Sequence, residues 1–234
     1  MKGIFVTGTD TGIGKTTVCA ALLHRYRRCG ALGYWKPVQT GWPEDDDTAT
    51  VRVLGACADA EICDAGIRLP RPLSPHLAAR LHGVTIAMDD VLHPAQSASE
   101  ERAWIVEGAG GLLVPLNDEQ KMSDLIAALR LPTLVVARAA LGTINHTLLT
   151  LEALRARSLP VVGVVMVGER NAENRRAIEE YGRVSVLGEM PHFPTLTPEC
   201  LGAWAQDALD GHGALEGIFS GDSARHKPKQ AVRG

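Results

Sequence analysis

The sequence predicts an α/β fold in which helices cover both faces of a mostly parallel sheet. Short apolar runs alternate along the chain with segments of helical periodicity, which is the pattern of consecutive βαβ units. A glycine-rich turn joins the first run to the first helical segment. With 234 residues, of which 45% are apolar and 22% charged, the chain is also long enough to bury a large core. We therefore expect residues 1–220 to form one domain and residues 221–234 a flexible tail.

The predicted elements follow one another in a regular order. The apolar runs that indicate strands cover residues 4–6, 34–38, 104–106, 133–137, 161–167 and 184–187. The helical patterns follow Lys15, run through Val51 and Leu54, and recur at residues 76–82, 123–130 and 145–157. The proline-rich residues 69–94 are expected to leave the sheet. Because parallel sheets bind ligands beyond the carboxyl ends of their strands, functional residues should follow these runs directly.

The first run ends in a loop of the kind that binds phosphate. Residues 3–17 read GIFVTGTDTGIGKTT, so Gly-Lys-Thr-Thr opens the first helix. In such a loop backbone N–H groups bind the anion, Lys15 reaches the terminal phosphates and the Thr16 hydroxyl is placed to bind Mg²⁺. The usual spacing has a glycine where this chain has Thr9, and Gly8 stands one residue earlier. The alternative is a tight turn with a solvated Lys15; the strand, loop and helix in this order favour a nucleotide site.

Two other strands carry charged residues suited to the same site. Lys36 comes with the second run, where an ammonium group would lie near the transferring phosphate, although an ordinary exposed lysine is the alternative. Glu107 ends the third run, inside apolar sequence. A buried carboxylate is costly unless it is paired or binds a cation, so we expect Glu107 to be a Mg²⁺ ligand.

Two helix starts allow either a structural or a functional interpretation. Residues 44–47 are all acidic and precede a helical pattern, so most of them are expected to cap that helix, while one is a candidate metal ligand that the pattern does not single out. Residues 140–146 open the long helix, whose free N–H groups suit a carboxylate or phosphate. Thr143 or Asn145 as a plain N-cap explains that segment equally well. Residues 188–191, after the last run, are suited to the wall of a base pocket.

Composition excludes several classes of protein. The net charge of −3 argues against a strongly basic nucleic-acid binder. Five cysteines form no Cys-x-x-Cys pair, and their odd number is typical of reduced thiols. The first run begins near Gly3, and no apolar stretch has the length of a membrane span. We therefore expect a cytoplasmic protein with neither nucleic acid nor a membrane as partner.

Taken together, the motifs resemble those of the dethiobiotin synthetase family. The similar segments are residues 6–16, 36–41, 47, 74–76, 106–111, 141–146 and 188–191. They occur in order over about the first 190 residues. The resemblance implies a homodimeric fold of the P-loop NTPase type with a seven-stranded sheet. It also implies an ATP- and Mg²⁺-dependent cyclo-ligase of biotin biosynthesis, which inserts CO₂ between the two amines of 7,8-diaminononanoate and releases ADP and phosphate.

The resemblance further implies a role for each site residue. Lys15 and Lys36 would be catalytic, and Thr16, Asp47 and Glu107 would hold Mg²⁺. The residues expected to bind the nucleotide are Gly12, Ile13, Gly14, Lys15, Thr16, Thr17, Asp47, Glu107, Gly108, Ala109, Gly110, Val167, Gly168, Pro191, His192 and Phe193. Those expected to bind the diamine and its distal carboxylate, the latter across the dimer interface, are Thr11, Thr40, Gly142, Thr143, Ile144 and Asn145.

The chain departs from the family at one position. Many members carry an asparagine that binds adenine just after the strand that ends here at Val167 and Gly168, and this chain has no amide there; the nearest is Asn171. The resemblance therefore leaves the base preference open.

Two other functions fit part of the pattern. A cobyrinate-type amide synthetase shares the ATP-binding motifs but adds a glutaminase domain, and only about forty residues follow the last shared motif here. A partitioning or targeting ATPase usually has an extra lysine early in the phosphate loop, where this chain has Asp10 and Thr11. Both patterns therefore favour the synthetase.

Overall fold

The structure, a computed structural model, describes residues 1–96 and 101–220; the expected tail at residues 221–234 lies outside them. The strands are β1 (Lys2–Gly8), β2 (Leu32–Trp35), β3 (Val38–Thr40), β4 (Ile62–Cys63), β5 (Ile67–Leu69), β6 (Ala103–Gly111), β7 (Thr133–Arg138), β8 (Val161–Val167) and β9 (Val186–Met190). The helices are α1 (Lys15–Tyr26), α2 (Asp47–Leu54), α3 (Pro75–Leu81), α4 (Met88–Gln96), α5 (Met122–Leu129), α6 (Thr143–Ala156), α7 (Ala172–Gly182), α8 (Pro198–Ala208) and α9 (Glu216–Ser220).

Within the described residues, one seven-stranded sheet organises the fold, with the strand order β4-β2-β6-β1-β7-β8-β9. Each pairing in this sheet is parallel. The predicted fold class is therefore confirmed. None of the helices described has the length and apolar character that crossing a lipid bilayer requires.

Helices cover the sheet on both faces because the strands bury side chains in both directions. In β1, Ile4 and Val6 pack into one core with α1, α2 and α8, whereas Phe5 packs into the opposite core with α4, α5, α6 and α7. Strands that are buried on both faces require near-continuous apolar sequence, which is why these runs could be recognised.

The predicted strand at residues 34–38 is two strands in the structure. β2 ends at Trp35 and pairs with β4 and β6, whereas β3 starts at Val38 and pairs with β5 in a separate two-stranded parallel sheet. Lys36 and Pro37 form the break, consistent with the missing N–H of proline, which cannot continue a ladder. The break places Lys36 at the carboxyl edge of the main sheet. Residues 69–94 lie outside the main sheet, as expected: Leu69 ends β5, and α3 and most of α4 follow.

Candidate active site

The loop between β1 and α1 has the backbone conformation of a phosphate-binding loop. Gly12 and Gly14 have φ values of 67° and 95°, in the left-handed region that favours glycine. Gly8 is required for a different reason: a Cβ on it would lie 2.7 Å from Ile13 Cδ1 and 3.1 Å from Lys15 Cδ. The close contact with Ile13 and Lys15 therefore requires a glycine at position 8. It does not depend on position 9, where this chain has Thr9 in place of the usual glycine.

Lys15 folds back onto this loop. Its Nζ donates a hydrogen bond of 2.9 Å to the backbone oxygen of Asp10, and the residue is only 6% exposed. Burial lowers the pKa of Lys15, and the nearby Lys36 lowers it further. The alternative of a solvated Lys15 is therefore wrong.

A buried cluster of charged and polar side chains lies beside the loop. Lys36 Nζ lies 2.6 Å from Asp47 Oδ2 and 2.7 Å from Glu107 Oε1. The Thr16 hydroxyl, at the start of α1, is 2.7 Å from Asp47 Oδ1 and 3.1 Å from Glu107 Oε1. The Lys36 side chain is 3% exposed, so the alternative of an ordinary exposed lysine is wrong.

The charges of this cluster stabilise one another. Burial by itself would lower the pKa of Lys36, but the carboxylates of Glu107 and Asp47 outweigh it and raise that pKa well above the ordinary value. Burial likewise acts to raise the pKa of Asp47, but Lys36 and Thr16 outweigh it and hold that pKa below the ordinary value. The ammonium group and the Asp47 carboxylate therefore both stay charged at neutral pH.

The acidic residues 44–47 divide into a cap and a site residue. Asp46 is the N-cap of α2, and its side chain accepts a 3.0 Å hydrogen bond from Ala49 N. Asp47 is the next residue and points into the cluster. The Gln39 side chain fixes this turn, since its amide nitrogen donates to the backbone oxygen of Asp45 at 2.7 Å. Sequence reasoning missed Gln39, which carries no signal beyond its place in the 36–41 segment.

Two cavities open at this edge of the sheet. The smaller, of about 190 Å³, is lined by Thr11, Gly12, Gly14, Lys15, Thr16, Lys36, Gln39, Thr40, Asp45, Asp47, Glu107, Ala109 and Gly110. Of residues 188–191, which the sequence predicts to wall a base pocket, Met190 and Pro191 line the larger cavity, of about 950 Å³. Its wall also includes nine of the predicted nucleotide-binding residues, namely Gly12, Ile13, Gly14, Thr17, Val167, Gly168, Pro191, His192 and Phe193. The two cavities share Gly12 and Gly14, so the phosphate loop lies between them. Gly108 lines neither cavity, and its backbone oxygen is 3.3 Å from Lys36 Nζ.

Arg138 and Asn171 also line the larger cavity, and sequence reasoning missed Arg138. Arg138, at the end of β7, lies 2.5 Å from Asp10 in an ion pair that ties β7 to the phosphate loop. Asn171 also lines the cavity, but its side-chain oxygen accepts a 2.9 Å hydrogen bond from Asn174 N and so caps α7. Nothing in the local sequence distinguishes Arg138 from the other arginines of the chain.

The first residues of α6 line neither cavity, although Ala140 and Leu141, directly before its N-cap, line the larger one. Gly142 is its N-cap, with φ of 92°, and no side chain of the described residues caps the helix. The Thr143 hydroxyl is buried 3.4 Å from that of Thr147. The alternative in which Thr143 or Asn145 is the N-cap is therefore wrong. Gly142, Thr143, Ile144 and Asn145 line neither cavity, whereas the other two predicted substrate residues, Thr11 and Thr40, line the smaller one.

Sequence reasoning also missed Tyr34, which holds Glu107 from the core side of the cluster. The buried Tyr34 hydroxyl donates a 2.8 Å hydrogen bond to Glu107 Oε2. Burial and the charge of Glu107 raise the pKa of this phenol, so the hydroxyl keeps its proton and acts as a donor. In the sequence Tyr34 is indistinguishable from a core residue of β2.

The donor atoms of the cluster suit a small hard cation. Thr16, Asp47 and Glu107 offer only oxygen atoms, the ligands that Mg²⁺ prefers. In the described part of the chain, no group of three or more His, Cys, Asp or Glu side chains is placed to hold a metal. A cation bound here would therefore need further oxygen ligands, which nucleotide phosphates and water supply in Mg²⁺ sites.

Comparison with known proteins identifies relatives along most of the chain. A family model described as an AAA domain matches residues 2–200. The ATP-dependent dethiobiotin synthetase BioD of Brucella ovis is 50% identical over 200 residues, which is 85% of this chain and 90% of that protein. The protein of the same name from Agrobacterium fabrum is 48% identical over 196 residues, covering 84% of this chain and 89% of that protein.

Solved structures with little sequence similarity share the fold. A ParA family ATPase from Chlorobium tepidum superposes with a TM-score of 0.52 at 11% identity, covering 87% of this chain and 97% of that one. A MinC:MinD cell division complex from Aquifex aeolicus gives 0.54 at 12% identity, covering 88% and 87%. At such identities these similarities concern the fold alone. The curated relatives, in contrast, match half of the aligned residues across nine-tenths of their own length, and the chain therefore belongs to the dethiobiotin synthetase family.

Proposed function

We propose that the protein is an ATP-dependent dethiobiotin synthetase, which joins CO₂ to both amines of 7,8-diaminononanoate and so forms the ureido ring of dethiobiotin in biotin biosynthesis. The observation that carries this proposal is the buried cluster of Lys36, Asp47, Glu107 and Thr16 beside the phosphate loop. Such a cluster suits phosphoryl transfer, in which the protein neutralises charge and the substrates provide the nucleophiles.

Each proposed step uses a nucleophile of the substrate. One amine adds to CO₂ and loses a proton, which gives a carbamate. A carbamate oxygen then attacks the γ-phosphorus of ATP, ADP leaves and a carbamic–phosphoric anhydride forms. The second amine attacks the anhydride carbonyl, loses a proton and expels phosphate, closing the five-membered ring. The protein's task is to hold the diamine, the carbamate and the triphosphate in line.

The two lysines have separate roles in this proposal. Lys15 exchanges its bond to the Asp10 carbonyl for contacts with the terminal phosphates, which its position on the loop favours. Lys36 keeps its positive charge because Asp47 and Glu107 flank it, and it faces the oxygens that gain negative charge during transfer. The fixed ammonium group needs no reorganisation when that charge develops.

Thr16, Asp47 and Glu107 would hold Mg²⁺ in the proposed enzyme. When bound, Mg²⁺ neutralises charge on the phosphate oxygens and orients the triphosphate. The three residues come from α1, α2 and β6 and already lie within hydrogen-bond distance of one another or of Lys36. All three residues also line the smaller cavity.

The cavities suggest where the substrates bind. The larger one has the size and the partly apolar wall that a nucleoside requires, and Gly12, Ile13 and Gly14 connect it to the phosphate side. The smaller one, with Thr11 and Thr40 in its wall, suits the reacting end of the diamine. The proposed nucleotide is ATP. Competition between ATP and other nucleoside triphosphates would measure the base preference.

The remaining part of the diamine site is proposed to come from a second copy of the chain. Gly142, Thr143, Ile144 and Asn145 would bind the distal carboxylate in the partner's site, a role consistent with their absence from the walls of both cavities in their own chain. Exposed leucines nearby support a homodimer: Leu141 is fully exposed, and Leu113 and Leu149 are about half exposed and line one apolar pocket. The five free cysteines support a reducing compartment, the cytoplasm.

A phosphate-release assay tests this function. The protein is incubated with ATP and Mg²⁺, with and without the diamine and bicarbonate, and the cyclic urea product is followed by mass spectrometry. We expect phosphate release to require both the diamine and bicarbonate, with one urea formed per phosphate. Release that is independent of the diamine, or that responds instead to a protein partner or lipid, would contradict the proposal.

A further inference from the structure

Tyr34 lies directly beneath the cluster, on the strand next to Glu107. β2 and β6 are parallel neighbours with Tyr34 opposite Ile105, and both side chains pack into the core on the α1 face. Because side chains alternate along a strand, Glu107 points to the same face as Ile105. The register therefore brings the Tyr34 hydroxyl and the Glu107 carboxylate together inside the protein, where both residues are 1% exposed or less.

The two oxygens of Glu107 have different partners. Oε1 accepts from Lys36 at 2.7 Å and lies 3.1 Å from the Thr16 hydroxyl, on the side of the phosphate loop. Oε2 accepts from Tyr34 at 2.8 Å, on the side of the core. The phenol thus fixes the rotation of the carboxylate and leaves Oε1 directed toward the loop.

We propose that Tyr34 is a positioning residue that sets the metal affinity of the site by orienting Glu107. The inference rests on the proposed function, in which Glu107 is a Mg²⁺ ligand. A carboxylate that binds a metal is usually held by a hydrogen bond from a second residue, and loss of such a partner typically weakens metal binding about 10- to 100-fold. Tyr34 has this relationship to Glu107, and it lines neither of the two cavities in which the substrates are proposed to bind.

Metal binding measured without turnover tests the inference. Mn²⁺ is titrated into the protein with a non-hydrolysable ATP analogue, and free Mn²⁺ is followed by electron paramagnetic resonance. We expect Tyr34→Phe, which keeps the ring and removes only the hydroxyl, to bind Mn²⁺ at least about tenfold more weakly than wild type. In steady-state kinetics it should raise the KM for Mg²⁺ while kcat at saturating Mg²⁺ stays near that of wild type.

Tyr26 offers a matched control. It is another buried tyrosine whose hydroxyl donates to a carboxylate, that of Asp210 near the end of the described chain. Tyr26→Phe removes the same kind of hydrogen bond away from the site, so its Mn²⁺ affinity should equal that of wild type. An equal loss of affinity in both variants would show a general effect of destabilisation and would overturn the inference.

Three further variants separate this inference from the proposed function. If Asp47→Asn does not weaken Mn²⁺ binding, the proposed metal site itself is wrong. If Asp47→Asn weakens binding but Tyr34→Phe does not, only the role of Tyr34 is wrong. Tyr34→Phe in a Glu107→Gln background should have the same Mn²⁺ affinity as Glu107→Gln alone, and an additional loss would mean that Tyr34 acts by another route. The comparison in the Glu107→Gln background can also be made if Tyr34→Phe alone does not fold. In that background the Tyr34→Phe change leaves no buried carboxylate without its hydrogen-bond partner.

Discussion

The ammonium group of Lys36 lies 2.7 Å from the carboxylate of Glu107, although the two residues are 71 positions apart in the chain. The contact forms because β2 and β6 are parallel neighbours in which Trp35 pairs with Val106, so that Lys36 follows beside Glu107. Asp47 completes the arrangement at 2.6 Å from Lys36. The Lys36 ammonium group is therefore fixed in position before any nucleotide binds. Electrostatic catalysis requires a charge that is preorganised in this way.

Replacing Lys36 should therefore affect turnover much more than nucleotide binding. We expect Lys36→Ala to lower kcat about 10²- to 10³-fold, because one preorganised charge is removed, while the Kd of an ATP analogue changes little. Calorimetry and the diamine-dependent phosphate assay measure the two quantities, with circular dichroism as a check on folding. An unchanged kcat in a folded variant would remove Lys36 from the mechanism.

Replacing Lys15 should have a different signature. Its ammonium group lies on the phosphate loop itself, so Lys15→Gln is expected to weaken binding of the triphosphate and to lower turnover together. The same two assays apply, and Lys36→Ala is the comparison. Tight binding of the ATP analogue by Lys15→Gln would show that the loop amides alone hold the phosphates.

Asp46 and Asp47 are adjacent residues with separable effects. Loss of the N-cap in Asp46→Ala should lower the free energy of unfolding by about 1 kcal/mol and leave the Mg²⁺ titration of activity unchanged. Asp47→Asn should shift that titration to higher Mg²⁺ concentration. If Asp46→Ala instead gave the larger shift, the division of the acidic residues into a cap and a site residue would be wrong.

Asp47 should also contribute to the loss of stability in acid. The pKa of its carboxyl lies below the ordinary value of 3.8 in the folded protein, so the unfolded chain takes up this proton first as the pH falls. The stabilisation is then complete above the unfolded pKa and is lost as the pH drops through the folded pKa. Urea denaturation between about pH 5 and about pH 3 should show a smaller loss of stability in Asp47→Asn than in wild type. Equal losses would mean that Asp47 is not held by Lys36 in solution.

The phosphate loop and the buried position of Glu107 could be predicted because their signals are local, but the strand ends could not: β6 continues to Gly111, past the predicted end at residue 106. Glycines, a Gly-Lys-Thr-Thr sequence and an apolar run are all contained within residues 3–17, and a carboxylate inside an apolar run marks Glu107. The break at Lys36 and Pro37 could not be predicted in the same way, because β3 finds its partner β5 outside the main sheet.

Other parts of the site depend on where elements meet. The choice between Asp46 and Asp47 depends on the residue at which α2 begins, which the run of acidic residues does not specify. Tyr34 and Arg138 depend on the register of neighbouring strands and on the position of the loop, so their local sequence carries no sign of a contact with Glu107 or Asp10. For residues 142–145, the proposed role lies in a second chain, beyond any pattern within one sequence.

A crystal structure with a non-hydrolysable ATP analogue, Mg²⁺ and the diamine tests the central claim most directly. We expect the metal to be bound by Thr16, Asp47 and Glu107, with Lys15 and Lys36 both contacting the γ-phosphate. A triphosphate bound away from the loop, or a γ-phosphate out of reach of Lys36, would contradict the account.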